Sequence, residues 1–330
     1  MKTIALFNNK GGVGKTTLVY HLAHMFSRIG YPTIAVDLDP QANLTSAFLD
    51  EDRLESLWND DKDTILSCVE PILQGIGDIQ HASTIDIAGR LWLLAGDLGL
   101  SRFEDKLSES WTKGFGSDPA ALRTTSSFYR IIQEAAIGTG AALALLDVGP
   151  NLGAINRAAL LSADYLLVPL AADLFSLQGL KNLGPTIRNW KDLWKRTRDL
   201  ASPEINFPLP EGEMHPAGYI VLQHAVRLDR PVKAYRRWME RIPAVYEEAV
   251  LAREASPRTL TTTEDPYRLA TLRNYRSLMP MAQEARKPMF DLRPADGAIG
   301  SHAQLVQTCY AEFKRLAEMI AEICSLEQAA

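Results

Sequence analysis

The sequence predicts a doubly wound, mainly parallel α/β sheet flanked by helices. Three observations lead there. Short apolar runs without alternation recur along the chain, as strands buried on both faces require. Helical stretches lie between them, so strand and helix alternate. The first run passes through a glycine-rich turn directly into a helix.

Strands are expected at residues 3–7, 33–37, 143–147 and 165–169, with further ones at 91–94 and 218–223. Helices are expected at 16–29, 128–136 and 155–161. The first of these stops at Gly30, with Pro32 just beyond, a standard C-terminal signal. From residue 302 to 326, Leu305, Cys309, Phe313, Leu316, Ile320 and Ile323 recur in steps of three and four. That spacing predicts an amphipathic helix docked on the body of the protein. No internal repeat is present. The expected organisation is one domain over 1–330, with surface insertions near 50–63, 201–216 and 254–266. The first is strongly acidic, and the second holds four prolines without periodicity.

Composition narrows the class. The 330 residues are 46% hydrophobic and 23% charged, ordinary for a soluble globular protein. Cys68, Cys309 and Cys324 lie far apart with no C-x-x-C pair, which argues against a disulfide framework or a zinc site and fits a reducing compartment. The first apolar run stops at Asn8, too short for a secretory signal. The longest apolar stretch, 158–175, is broken by Asp164, Pro169 and Asp173, so it reads as a helix end, a turn and a strand rather than a membrane span. The net charge of −5 is unevenly spread. Residues 1–180 carry 13 Lys+Arg against 21 Asp+Glu, and residues 181–293 carry 20 against 14. A basic third can bind a polyanion even in an acidic protein.

Three motifs carry the chemistry. The first is Lys10-Gly11-Gly12-Val13-Gly14-Lys15-Thr16-Thr17, between an expected strand and an expected helix. Its glycines permit backbone angles that aim N–H groups at phosphate oxygens, and the helix N-terminus favours an anion. Lys15 is placed to neutralise β/γ-phosphate charge, and Thr16 to put its hydroxyl on Mg²⁺. The second is Val36-Asp37-Leu38-Asp39-Pro40, at the C-terminal end of a strand, where ligands bind open α/β sheets. Alternation along the strand predicts that Asp37 and Asp39 point the same way, one toward Mg²⁺ and the other toward an attacking water. The third is the apolar run ending in Asp147, a carboxylate that supports Mg²⁺. Together they predict a P-loop NTPase fold with ATP and Mg²⁺ as cofactors.

These stretches resemble the ParA family, partition ATPases of the deviant Walker A class related to MinD. KGGVGKTT (10–17), VDLDPQAN (36–43) and LLDVGPNLG (145–153) match it, as do LWLLAGDLGLS, LVPLAADLFSLQGL and LRNYRSLMPMAQEARKPMFDL. The resemblance implies that Lys10 reaches across an ATP-sandwiched homodimer to the partner's phosphates. It implies slow, partner-stimulated ATP hydrolysis with Lys10, Lys15 and Asp39 as catalytic residues. Gly11, Gly12, Val13, Gly14, Lys15, Thr16 and Thr17 would bind nucleotide, and Thr16, Asp37 and Asp147 the metal. It further implies non-specific DNA binding through late basic residues, with Arg273 and Arg276 favoured among Arg227, Arg230, Lys233, Arg236, Arg237, Arg286 and Lys287. The implied partner is a ParB-like centromere-binding protein, and the implied place is the cytoplasm, on the nucleoid and not on a membrane. The family usually shows two prolines after the Asp147 position. Here Gly149 precedes Pro150, which is expected to loosen the segment that senses the γ-phosphate. A MinD-like positioning ATPase and a nucleotide-gated scaffold for another cargo are the alternative readings. The first would need a basic amphipathic C-terminus, and the last turns here are acidic.

Overall fold

The computed structural model describes residues 1–223, 232–254, 264–275 and 277–328. Among them the chain forms one eight-stranded sheet in the order β3-β4-β2-β5-β1-β6-β7-β8. The strands are β1 (Lys2–Leu6), β2 (Thr33–Asp37), β3 (Ile85–Ala88), β4 (Leu91–Leu94), β5 (Leu143–Asp147), β6 (Tyr165–Ala171), β7 (His215–Leu222) and β8 (Arg268–Leu272). All neighbours are parallel except β3, which pairs antiparallel with β4. This is the doubly wound α/β arrangement of a P-loop NTPase.

The helices are α1 (Lys15–Arg28), α2 (Asn43–Phe48), α3 (Glu51–Ser56), α4 (Ile65–Gln74), α5 (Phe103–Gly114), α6 (Pro119–Thr125), α7 (Ser127–Thr139), α8 (Ala154–Leu161), α9 (Leu174–Asp199), α10 (Val232–Met239), α11 (Ile242–Val245), α12 (Met279–Ala285) and α13 (Ser301–Ile323). They cover both faces of the sheet. Alternation decides which side each strand residue packs on. Ala5 and Phe7 join one core, with Ile34, Val36, Ala144 and Leu146, beneath α4, α5, α7, α8 and α9. Ile4 and Leu6 join the other, with Ala35 and Leu145, beneath α1, α12 and α13. Every residue of β2 and β5 is buried, which is why neither shows a polar-apolar alternation.

The expected tail helix is α13, and Cys309, Phe313, Leu316 and Ile320 are buried on its inner side. Its apolar stripe is therefore used within the fold. The stretch 158–175 is the end of α8, a turn and β6, as expected, followed by the start of α9, which was not. Among the described residues no helix is long and apolar enough to cross a membrane.

The acidic segment 50–63 is mostly helical. Asp50 caps α3 by accepting from the Arg53 amide, and one wide turn, Leu57–Asp61, follows. Leu57 is buried, and the Trp58 indole N–H donates to Gly96 O at 3.2 Å. Residues 201–214 pack over the end of α9, where the Trp194 indole N–H donates to Pro210 O. Midway along α9, a Cβ on Gly184 would lie 1.7 Å from Ala249 O, so only glycine lets that helix seat on the turn 246–250.

Candidate nucleotide site

The loops after β1, β2, β5 and β6 all open at the C-terminal edge of the sheet, around its centre. There the chain makes a cavity of about 770 Å³, lined by Gly11, Gly12, Gly14, Lys15, Thr16 and Thr17 on one side. Asp39, Gln41, Pro150, Tyr20, His21, the α2 and α12 segments, and Arg286 and Lys287 just after α12 line the rest. Gly12 has φ 71° and Gly14 φ 83°, left-handed values that favour glycine. A Cβ on Gly14 would also lie 2.9 Å from the Leu222 side chain. Gly14 begins α1 with no side-chain cap and no acid in the first turn. The first N–H groups of the helix are therefore left for a ligand, and an anion suits them.

Lys15 is 7% exposed, and its ammonium donates to Asn8 O at 3.3 Å. Burial pulls its pKa down, while Asp147 and Asp39 pull it back up. Asp37 and Asp147 are register partners on adjacent strands, and both are fully buried. Their situations differ. One Asp37 oxygen accepts from the Thr45 amide at 2.8 Å and the Thr45 hydroxyl at 2.7 Å, and the other from the Asp39 amide. Neither oxygen of Asp147 has a hydrogen-bond partner in good geometry. Burial pushes the Asp147 carboxyl well up, and Asp37 adds to this; the Thr16 hydroxyl and Lys15 act in the opposite direction. An unpartnered buried carboxylate beside a lysine and a threonine hydroxyl is the environment that a hydrated divalent cation satisfies. The donor set of Thr16 and Asp147 thus fits Mg²⁺. Asp39 lines the cavity and accepts from the Gln41 amide at 3.0 Å. Asp37 turns inward to α2 instead, so the expectation that the two carboxylates share a direction is corrected. The two donors of Thr45 hold the Asp37 carboxylate on the α2 side.

A profile described as an AAA domain matches residues 1–200. The chain belongs to the ParA/MinD/Soj-like family of P-loop ATPases. It is 31% identical over 189 residues to Protein IncC of Escherichia coli, a match spanning 57% of this chain and 46% of IncC. It is 30% identical over 198 residues to the chromosome-partitioning ATPase Soj of Thermus thermophilus, spanning 57% and 61%. The chain thus covers about half of IncC's length. Among solved structures, a protein of Corynebacterium diphtheriae aligns with TM-score 0.73 at 22% identity over 98% of both chains. A plasmid partition protein of Borrelia burgdorferi, bound to AMPPNP, aligns with TM-score 0.60 at 20% identity over 97% and 98%. These two likenesses bear on the fold.

Lys10, the first lysine of the glycine-rich loop, is not among the residues that line the cavity. Its ammonium forms an ion pair with Asp173 and lies 5.8 Å from the Phe175 ring. Asp173 also caps α9 by accepting from the Ser176 amide at 2.8 Å. Against the upward pull of burial, the Lys10 ammonium and the Ser176 amide together hold the Asp173 carboxyl below its ordinary range. Phe175 beside it is 72% exposed and Leu174 52%, an apolar edge on the phosphate-loop side of the molecule.

Arg273 follows β8, pairs with Glu312 at 3.3 Å and lines a small cavity of about 170 Å³ against Val13, Leu222, Gln223, Leu272 and Asn274. It is therefore next to the phosphate loop. Arg276, Arg227 and Arg230 lie outside the described residues, as does the Lys233 side chain. Arg286 and Lys287 are engaged within the chain, with Leu49 O and Asp296 respectively. Arg237 and Arg241 instead both stand by the Trp238 ring, at 5.3 and 5.2 Å from its centroid. Sequence reasoning missed Asp173, Asn8 and Thr45. The contact of Asp173 with Lys10 joins residues 163 apart, which no local pattern signals.

Proposed function

We propose that this protein is a slow, partner-stimulated ATP hydrolase that dimerises around two ATP molecules and, as a dimer, binds DNA without sequence preference. It would drive partition of plasmid or chromosomal DNA with a ParB-like centromere-binding partner. The observation that carries the nucleotide part is the orphaned Asp147 carboxylate beneath the uncapped start of α1, with Lys15 at its side. Mg²⁺–ATP, when bound, supplies the phosphoryl group that is transferred to water. The chain's own residues do the rest. The α1 amides and Lys15 hold phosphate oxygens and neutralise their charge. Thr16 and Asp147 hold the cation and its waters, and Asp37 keeps the adjoining loop in register. Asp39 accepts a hydrogen bond from the attacking water and orients it. Leu222, Leu272, Gln223 and Asn274 line a small cavity beside the phosphate loop, a mix of apolar and polar groups that suits a purine base.

Support for DNA comes from the charge pattern of residues 181–293 and from the Arg237–Trp238–Arg241 group on and after α10. Arg273, tied to Glu312 beside the phosphate loop, is the weaker of the two original candidates. Binding would be mostly phosphate neutralisation. The buried stripe of α13 and its acidic last turns speak against the membrane-cycling alternative. Calorimetry of Mg²⁺–ATP binding, followed by turnover with and without duplex DNA and a partner, tests the reading. Tight binding and a partner-dependent rise in turnover support it, and failure to bind ATP removes it.

A further inference from the structure

The loop between β5 and α8, residues 148–153, forms one wall of the cavity through Pro150. It carries Gly149 where relatives are expected to have a second proline. Asn156, on the first turn of α8, is 1% exposed. Its Nδ2 donates to Gly149 O at 3.0 Å, Asn151 O at 2.7 Å and Asn151 Oδ1 at 2.9 Å. One amide group thus ties three oxygens of the loop. Gly149 in turn lies against the cavity's carboxylate: a Cβ placed on it would be 3.5 Å from Asp39 Oδ1. The far end of the loop is fixed separately. Glu104 of α5 accepts from the Ala154 amide at 2.5 Å and the Ile155 amide at 2.9 Å.

We infer that Asn156 is a positioning residue for ATP hydrolysis, holding loop 148–153 closed against Asp39. This rests on the ATPase reading above. A proline restricts a loop through its own ring. A buried amide achieves the same restriction from outside, and it can let go. The expectation that Gly149 leaves the segment loose is thereby revised: the chain fastens the loop at its carbonyl oxygens.

Asn156→Asp keeps the side chain's shape and replaces both N–H donors with an acceptor. In the nucleotide-free protein, the Gly153, Ala154 and Ile155 amides, which donate to Asn151 Oδ1 and Glu104, should then exchange with deuterium about tenfold faster, since local opening costs less. ATP affinity should stay within about threefold, while turnover at saturating ATP falls roughly ten- to a hundredfold through misplacement of the reacting groups. Should that variant fail to fold, Asn151→Ala removes one of the three acceptors from an exposed side chain and should shift exchange and turnover the same way by less. Unchanged exchange, or affinity and turnover lost in equal measure, overturns the positioning role. Turnover lost in Asp39→Ala but normal in Asn156→Asp overturns this inference alone. A wild-type protein that never turns over ATP, even with DNA and partner, overturns the parent reading and this one with it.

Discussion

Asp147 has a buried carboxylate with no hydrogen-bond partner in good geometry, and such groups are costly to keep. Its raised pKa has a definite sign in stability. The folded state holds a proton more firmly than the unfolded chain, so stability from this group is full below the ordinary aspartate pKa. It is lost as pH rises through the folded value. Nucleotide-free protein should therefore lose stability on this account as pH rises from about 4 toward neutrality. Asp147→Asn should raise the melting temperature of the nucleotide-free protein at pH 7, and it should abolish the further rise that Mg²⁺–ATP gives the wild type. Calorimetric melting with and without Mg²⁺–ATP checks both halves. Lys15→Ala should remove tight ATP binding. Asp39→Ala should retain binding and lower turnover about a hundredfold, which a phosphate-release assay reads directly.

At the scale of elements, α1 and the segment before α13 are joined through a histidine. His21 Nδ1 lies 2.7 Å from Thr17 O and its Nε2 accepts from the Met289 amide at 3.0 Å, so the ring is neutral and uses both nitrogens. Burial first of all lowers the pKa of His21 to about 4, and that of neighbouring His24 to about 4 as well. The unfolded chain then binds protons that the folded one refuses. Stability is full above pH 6.5 and falls as pH drops toward 4, by about 1.4 kcal/mol per pH unit for each histidine. In His21→Gln the acid slope should be shallower by about one proton, which urea titrations between pH 4.5 and 7 would measure. The start of α9 offers a second test. Asp173→Asn keeps the helix cap, since asparagine caps as well as aspartate, but breaks the ion pair with Lys10. ATP-dependent dimerisation should then appear at lower protein concentration, whereas Lys10→Ala should abolish it. Light scattering on an Asp39→Ala background, where ATP persists, separates the two; a normal ATP-dependent dimer in Lys10→Ala would show that Lys10 takes no part in the interface.

For the whole molecule, the centre of the sheet and the phosphate loop were legible in the sequence because burial on both faces leaves continuous apolar runs, and because the loop is local. The edges were not. β3 alternates between half-buried and exposed residues, and β8 carries Arg268 and partly exposed side chains, so neither reads as a core strand. α9 escaped notice because it is polar along much of its length and holds Pro185. At the site, residue types and spacing showed Lys15, Thr16, Asp39 and Asp147, but not which carboxylate is already satisfied. Thr45 occupies Asp37, Asp173 holds Lys10, and Asn156 ties the loop at Gly149; each depends on packing that no local pattern encodes.

The same scale decides the central claim. One chain carries a net charge of −5, so a single copy should hold DNA weakly. Two copies brought together by ATP would present two basic segments on one assembly. Each phosphate contact contributes about 0.9 to the logarithmic salt slope on duplex DNA, so doubling the contacts steepens both affinity and its salt dependence. Filter binding of random-sequence duplexes across a salt series, with ATP or ADP, measures this most directly. Binding is expected with ATP and little or none with ADP, with indifference to sequence, a steep loss as salt rises, and a weaker, shallower curve for the Arg237→Ala/Arg241→Ala double variant. Equal affinity in ATP and ADP, or a double variant that matches the wild type at every salt concentration, would contradict the central claim.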